Sequence, residues 1–185
     1  MKIANRMENL SPSVTMAITA LARELKAQGK DILSFSAGEP DFDTPEIIKQ
    51  AAIKAINDGQ TKYTAVEGII ATKQAIINKL KKDHNLDYKL DNILISNGAK
   101  HSLFNLFQVL VEEGDEVIIP APYWVTYPEQ VKFSDGVPVF IDTDDSTEFK
   151  ITPEQLKAAI TPKTKVLLLN TPSNPTGSVY TKAEL

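Results

Sequence analysis

The sequence predicts an α/β protein built on a parallel sheet, and three observations carry that expectation. Four short runs, NILIS (92–96), EVIIP (116–120), VPVFID (137–142) and KVLLLN (165–170), are apolar at consecutive rather than alternate positions. A strand covered on one face alternates, whereas one covered on both faces reads as a continuous apolar run. Helical patterns at about 99–111, 124–133 and 153–160 separate the runs, as crossovers between parallel strands must. The least ordinary sequences, SNGAK, PAPYW and NTPSNPTG, follow the first, second and fourth runs. Those are the carboxyl ends, where open α/β sheets bind their ligands.

Upstream, SVTMAITALARELKAQ (13–28) carries apolar residues at helical spacing and ends at Gly29, a suitable residue just past a helix. ILSFS (32–36) reads as a short strand. AGEPDFDTP then breaks the order, and Thr44-Pro45 reads as cap and first-turn proline of a helix at about 46–58. The polar loop QTKYTAVEG leads to a third helix at about 68–83, with Ile69, Ile76, Ile77 and Leu80 expected inward. TKAEL (181–185) reads as a helix start capped by Thr181. The change in character places the boundary between a short N-terminal segment (1–45) and an α/β domain (46–185).

The chain has 185 residues, 42% hydrophobic and 24% charged, with a mean hydropathy of -0.17. That apolar content is enough for a core. A net charge of -4 offers no basic field for nucleic acid or an anionic membrane. Zero cysteines exclude disulfides, thiolate catalysis and zinc–thiolate sites, and fit a reducing cytoplasm. MKIANRMENLSPSV lacks the apolar core of a signal peptide, and no run approaches the length of a membrane span.

Each motif has an ordinary reading beside a chemical one. In SNGAK, Gly98 permits a tight turn, and the N–H groups of Ala99 and Lys100 would leave a helix N-terminus as an anion site. The same residues serve equally as a plain strand-to-helix turn. Neither G-x-x-x-x-G-K-[ST] nor G-x-G-x-x-G is present, which disfavours nucleotide binding by those routes. PAPYW places the chain's one tryptophan, Trp124, directly after a strand, where it can stack on a flat heteroaromatic ligand or simply pack. NTPSNPTG carries Asn170 and Asn174 in a backbone stiffened by two prolines, so it either aims an amide or forms a stiff loop. In SAGEPDF, Gly38 lets the backbone approach a ligand closely. DTDDSTE lacks the glycine and final glutamate of a calcium loop, and His84 and His101 have no ligand partners at metal-binding spacing.

Taken in order, SAGEPDF, TKYTAVEG, SNGAK, PAPYW and NTPSNPTG resemble the fold-type I, class I pyridoxal-phosphate aminotransferases, nearest the aspartate aminotransferase-like subgroup. The likeness runs through nearly all of the chain. It implies a three-layer α/β fold, of which these residues would be the N-terminal part of the large domain after a small-domain segment. It implies pyridoxal 5′-phosphate as cofactor, an amino acid such as aspartate and a 2-oxo acid (2-oxoglutarate) as substrates, and a cytoplasmic homodimer. By the resemblance, Ala99 and Lys100 match the phosphate cup, Trp124 stacks on the pyridine ring, and Asn174 bonds the phenolic oxygen and helps hold the substrate carboxylate. Gly38 would meet the α-carboxylate with its backbone, and Tyr63 would cross the dimer interface to the partner's cofactor phosphate. Thr15 and Lys100 would face the distal carboxylate of a dicarboxylic substrate. The bonds Asn174-Pro175 and Ala121-Pro122 would be cis.

The family's Schiff-base lysine, its aspartate for the pyridine nitrogen and its clamping arginine match no residue here, so the resemblance places them beyond Leu185. No catalytic residue is therefore assigned within 1–185, and the chain alone is expected to be inactive. The resemblance also implies that later strands insert into the sheet, so that the fourth run neighbours neither the first nor the second. Gaps would then leave backbone groups unpaired and prevent cooperative unfolding. Two rivals stay open: another fold-type I reaction such as a C–S lyase, and a non-catalytic binding module.

Overall fold

Three of the four apolar runs pair into one sheet. In the computed structural model, which describes residues 2–12, 14–35 and 38–185, β1 (Glu116–Ala121), β2 (Val137–Asp142) and β3 (Thr164–Leu167) lie in the order β2-β1-β3. Both pairings are parallel. β1 and β2 stay in register from Glu116 opposite Val137 to Ala121 opposite Asp142. Against β3 the register slips between Glu116 and Val117. The pairing continues one residue past β3, where Leu168 N donates to Ile118 O at 2.9 Å.

β1 shows why a continuous apolar run belongs in the middle of a sheet. Val117 and Ile119 point to one face and Ile118 to the other, and all three are fully buried. Each contributes about 1.5–3 kcal/mol by leaving water.

The helices are α1 (Val14–Ala27), α2 (Glu46–Asn57), α3 (Ile70–His84), α4 (Gly98–Leu110), α5 (Thr126–Phe133) and α6 (Pro153–Ala159). Phe107 and nearby Val111 join Tyr127 and Val131 of α5 against Val117 and Ile119. Gly136 is required where α5 returns to β2: an added Cβ would sit 2.4 Å from Val111 Cγ1 and 3.2 Å from Asp115 O. α6 packs on β2, and it starts with a reciprocal cap. Gln155 N donates to Thr152 Oγ1, and Thr152 N to Gln155 Oε1.

The chain forms two compact units, residues 37–99 and the remainder (1–36 with 100–185). These limits follow spatial neighbours and differ from a single cut at 45/46. The sheet lies in the larger unit. In 37–99, Lys73 is the one buried residue among those described.

Several expectations require correction. The second and fourth apolar runs, now β1 and β3, are direct neighbours, so nothing is inserted between them. The first run forms no strand: Leu90–Asn92 is a 3₁₀ turn and 93–96 are irregular. ILSFS is likewise irregular over its described residues 32–35, with Leu33 and Phe35 exposed. Both runs have strand composition, but a strand exists only through a ladder with a neighbour, and neither run has one among its described residues. Thr44 does not cap α2; Pro45 holds the N-cap position with no side-chain bond. On α3, Ile76, Ile77 and Leu80 are half-buried, while Ile69 lies exposed before the first turn. At 181–185 the Thr181 hydroxyl does accept from Glu184 N (3.3 Å), but the segment is a turn.

Candidate active site

The carboxyl ends of β1 and β3 carry the unusual geometry. Three X–Pro bonds are cis, Ala121–Pro122, Thr171–Pro172 and Asn174–Pro175; the middle one had no counterpart in the sequence reading. After β1, the backbone oxygen of Ala121 accepts from both the amide (3.1 Å) and the hydroxyl (2.6 Å) of Thr143. This anchors the turn that presents Tyr123 and Trp124. Tyr123 stacks on Phe140 with centroids 4.9 Å apart, and Trp124 meets Tyr127 edge-on at 5.5 Å. Burial holds the Tyr127 phenol above its ordinary pKa, so it remains a neutral wall.

After β3, NTPSNPTG closes on itself. Asn174 N donates to the Asn170 side-chain oxygen (2.8 Å), and Gly177 N to Ser173 O (2.8 Å). Gly177, at φ +76°, releases the chain in a conformation that a side chain would strain. Asn170 thus works as an internal brace and leaves Asn174 to face outward. The Asn174 amide makes no side-chain hydrogen bond among the described residues and is exposed. Asn170, Ser173, Asn174, Tyr123 and Tyr180 line one cavity. Tyr180 is fixed there by Ile151 N, which donates to its hydroxyl at 2.8 Å. That contact spans 29 residues, and no sequence signal marks it.

α4 begins at Gly98, in the left-handed region at φ +80°, and its first turn exposes Ala99 and Lys100. The Lys100 ammonium sits 4.9 Å from the Trp124 ring centroid, a cation–π distance. Gln130, buried on α5, donates to the Lys100 backbone oxygen at 2.8 Å and fixes that turn. Two predicted site residues, Lys100 and Trp124, are therefore in contact. Thr15 lies in the first turn of α1, with its carbonyl bonded by the Thr19 hydroxyl. Its neighbour Val14 lines a cleft with Lys100 and Tyr123, but Thr15 does not. Gly38, Tyr63 and Ala99 belong to the 37–99 unit. The Tyr63 side chain is wholly exposed, and a Cβ on Gly38 would touch nothing. Among the described residues, no contact therefore demands glycine there.

Fold and donors together define a class: a parallel α/β protein whose strand ends present an indole face and an unbonded amide, with a cation from the first turn of α4 against the indole. The chain belongs to the aminotransferase class I and II family, whose model matches residues 30–185. It is 57% identical over all 185 residues to an aspartate aminotransferase of Geobacillus stearothermophilus, of which it covers 47%. It is 55% identical over its full length to an aspartate/prephenate aminotransferase of Nitrosomonas europaea, again covering 47%. Among solved structures, it matches the aspartate aminotransferase of Rhizobium meliloti over its whole length and 46% of that chain. The TM-score is 0.95 and the identity 46%. The Thermus thermophilus enzyme with maleate matches over 99% of this chain and 48% of its own, at TM-score 0.95 and 44% identity. The chain thus spans about half the length of the curated relatives it matches.

Membership of this family implies pyridoxal 5′-phosphate as the cofactor. The residues present fit it chemically: the Lys100 amide in the exposed first turn of α4 for a phosphate, an aromatic face for a pyridine ring, and a side-chain amide for a phenolic oxygen.

Proposed function

We propose that the chain is the N-terminal part of an aminotransferase that moves an amino group from aspartate to 2-oxoglutarate. The observation that carries this reading is 57% identity to an aspartate aminotransferase across every residue of the chain. When bound, pyridoxal phosphate supplies the electron sink that the transfer needs. The chain's residues bind and orient. The Ala99 and Lys100 amides hold the phosphate, Trp124 covers the pyridine ring, and Asn174 donates to the phenolic oxygen and steadies the substrate carboxylate. The Gly38 backbone meets the same carboxylate, while Thr15 and Lys100 receive the distal carboxylate of a dicarboxylic substrate. Tyr63, wholly exposed here, reaches the phosphate of a second subunit in a homodimer. Residues 1–45 contribute to a small domain and 46–185 to the cofactor-binding large domain. The Schiff-base lysine lies outside 1–185, and the enzyme works in the cytoplasm.

The test is glutamate formation from aspartate and 2-oxoglutarate by the whole enzyme loaded with pyridoxal phosphate. Turnover that falls at least about tenfold in Asn174→Ala is expected, since a lost charge-directed hydrogen bond at a reacting centre costs about 1.5–3 kcal/mol. Absence of glutamate with the wild-type enzyme would sink the reading. A second amino acceptor is favoured by one observation, the 55% identity to an aspartate/prephenate aminotransferase, and prephenate in place of 2-oxoglutarate tests it.

A further inference from the structure

Lys73 is out of place by ordinary rules. It occupies the fourth position of α3 and is 4% exposed, while isoleucines in the same unit, such as Ile47 and Ile70, stay in water. An ammonium loses its hydration on burial and is kept there only by compensating partners. Its partner is Glu67, with Lys73 Nζ 3.9 Å from Glu67 Oε1. The cleft beside them is lined by Asp91, Asn92, Ile93 and Leu94.

Glu67 makes a second attachment. Its backbone oxygen accepts from Ile95 N at 3.0 Å. Gly68, at φ +103°, presses so closely on Ile95 that an added Cβ would lie 2.3 Å from Ile95 Cγ1. Upstream of Glu67 by four residues stands Tyr63; downstream of Ile95, Gly98 N bonds Ser96 O (2.9 Å) where α4 opens, one residue before Ala99. Glu67 therefore lies between the buried Lys73 ammonium, 3.9 Å from its carboxylate, and the segment that leads to Ala99, bonded to its backbone.

We infer that Lys73 is a positioning residue: through Glu67 it locks the Tyr63 loop, which serves the second subunit's phosphate, to the Ile95–Ala99 segment, which serves the chain's own. This rests on the cofactor reading above. Lys73 itself touches neither cofactor nor substrate in the proposal.

The experiment uses the whole enzyme with Lys73→Met, Lys73→Arg and Glu67→Gln. In the apo form, the Ile95 amide is expected to exchange its hydrogen about tenfold faster in Lys73→Met, with Lys73→Arg close to wild type. Unchanged exchange overturns the inference. Affinity is then measured for pyridoxal phosphate and for pyridoxal, which lacks the phosphate. A supporting residue of this kind is worth about tenfold. The phosphate-bearing ligand should weaken by about that factor, and pyridoxal by less than about twofold. Equal weakening of the two ligands overturns the inference, because a general loss of structure does not single out phosphate. If Lys73→Met fails to fold, Glu67→Gln is read by the same two ratios. Should the wild type bind no pyridoxal phosphate, the cofactor reading fails, while the Ile95 exchange still decides the brace.

Discussion

In β1, Val117, Ile118 and Ile119 are lost to solvent completely, whereas in α2 the residues Ile47, Ile48, Ile53 and Ile56 all remain exposed. Both segments are rich in isoleucine and both form regular structure. The difference is what lies next to them. β1 has a strand on each edge and helices against one face, so every apolar atom removed from water also gains a packed neighbour. α2 satisfies its hydrogen bonds internally, so it keeps helical geometry here although its isoleucines meet no covering element within the described residues. Apolar patterning creates a face; only a partner turns that face into stability.

The largest expected effect breaks this contrast directly. Ile118→Ala should destabilise the fold by about 2–5 kcal/mol through lost burial and a cavity. Ile48→Ala should stay within about 0.5 kcal/mol. Urea unfolding of both variants is the check, and equal losses would contradict the burial difference.

Glycines test close approach in each region. A Cβ at Gly136 would meet Val111, and one at Gly68 would meet Ile95 in a left-handed backbone. Each alanine substitution should cost about 1–3 kcal/mol. Thermal melts would show whether the 37–99 unit reports its own penalty or shares that of the sheet. Next in size is Thr152→Ala, which removes the reciprocal cap of α6 and should cost about 1 kcal/mol. α2 has no side-chain cap, so Thr44→Ala should leave stability nearly unchanged, and a matching loss at Thr44 would show a cap that the structure lacks.

The smallest effects are electrostatic. Hydrogen bonds from Lys150 and from Thr181 hold the Glu184 carboxyl at about 2, below its usual 4.5. A depressed carboxylate contributes stability that is fully present above about 4.5 and is lost as pH falls through about 2. The Lys79 hydrogen bond and charge likewise lower Asp83. Lys150 is 13% exposed and Lys79 69%. Carboxyl titration in 1 M salt, where the screening length is about 3 Å, should therefore erase most of the Asp83 shift and spare much of Glu184's. Equal loss at both would remove the distinction between the two pairs.

Two of the three motif positions could be read without coordinates because they sit where topology puts them. PAPYW and NTPSNPTG were legible as strand ends, since a proline-rich break after an apolar run cannot continue a ladder. Contacts across the chain were not legible. Lys100 over Trp124, Tyr180 fixed by Ile151, and Glu67 bonded to Ile95 each join residues whose separation carries no periodic signal.

The sequence by itself placed the six described α-helices and the family, because helical hydrogen bonds are local, and it marked the three pairing runs as apolar without separating them from the runs that do not pair. Tertiary structure alone decided that β3 lies beside β1, and that residues 32–35 and 93–96 stay outside the sheet although their composition matches the others. A strand's hydrogen bonds belong to its neighbour, and which neighbour is present is not written in the strand.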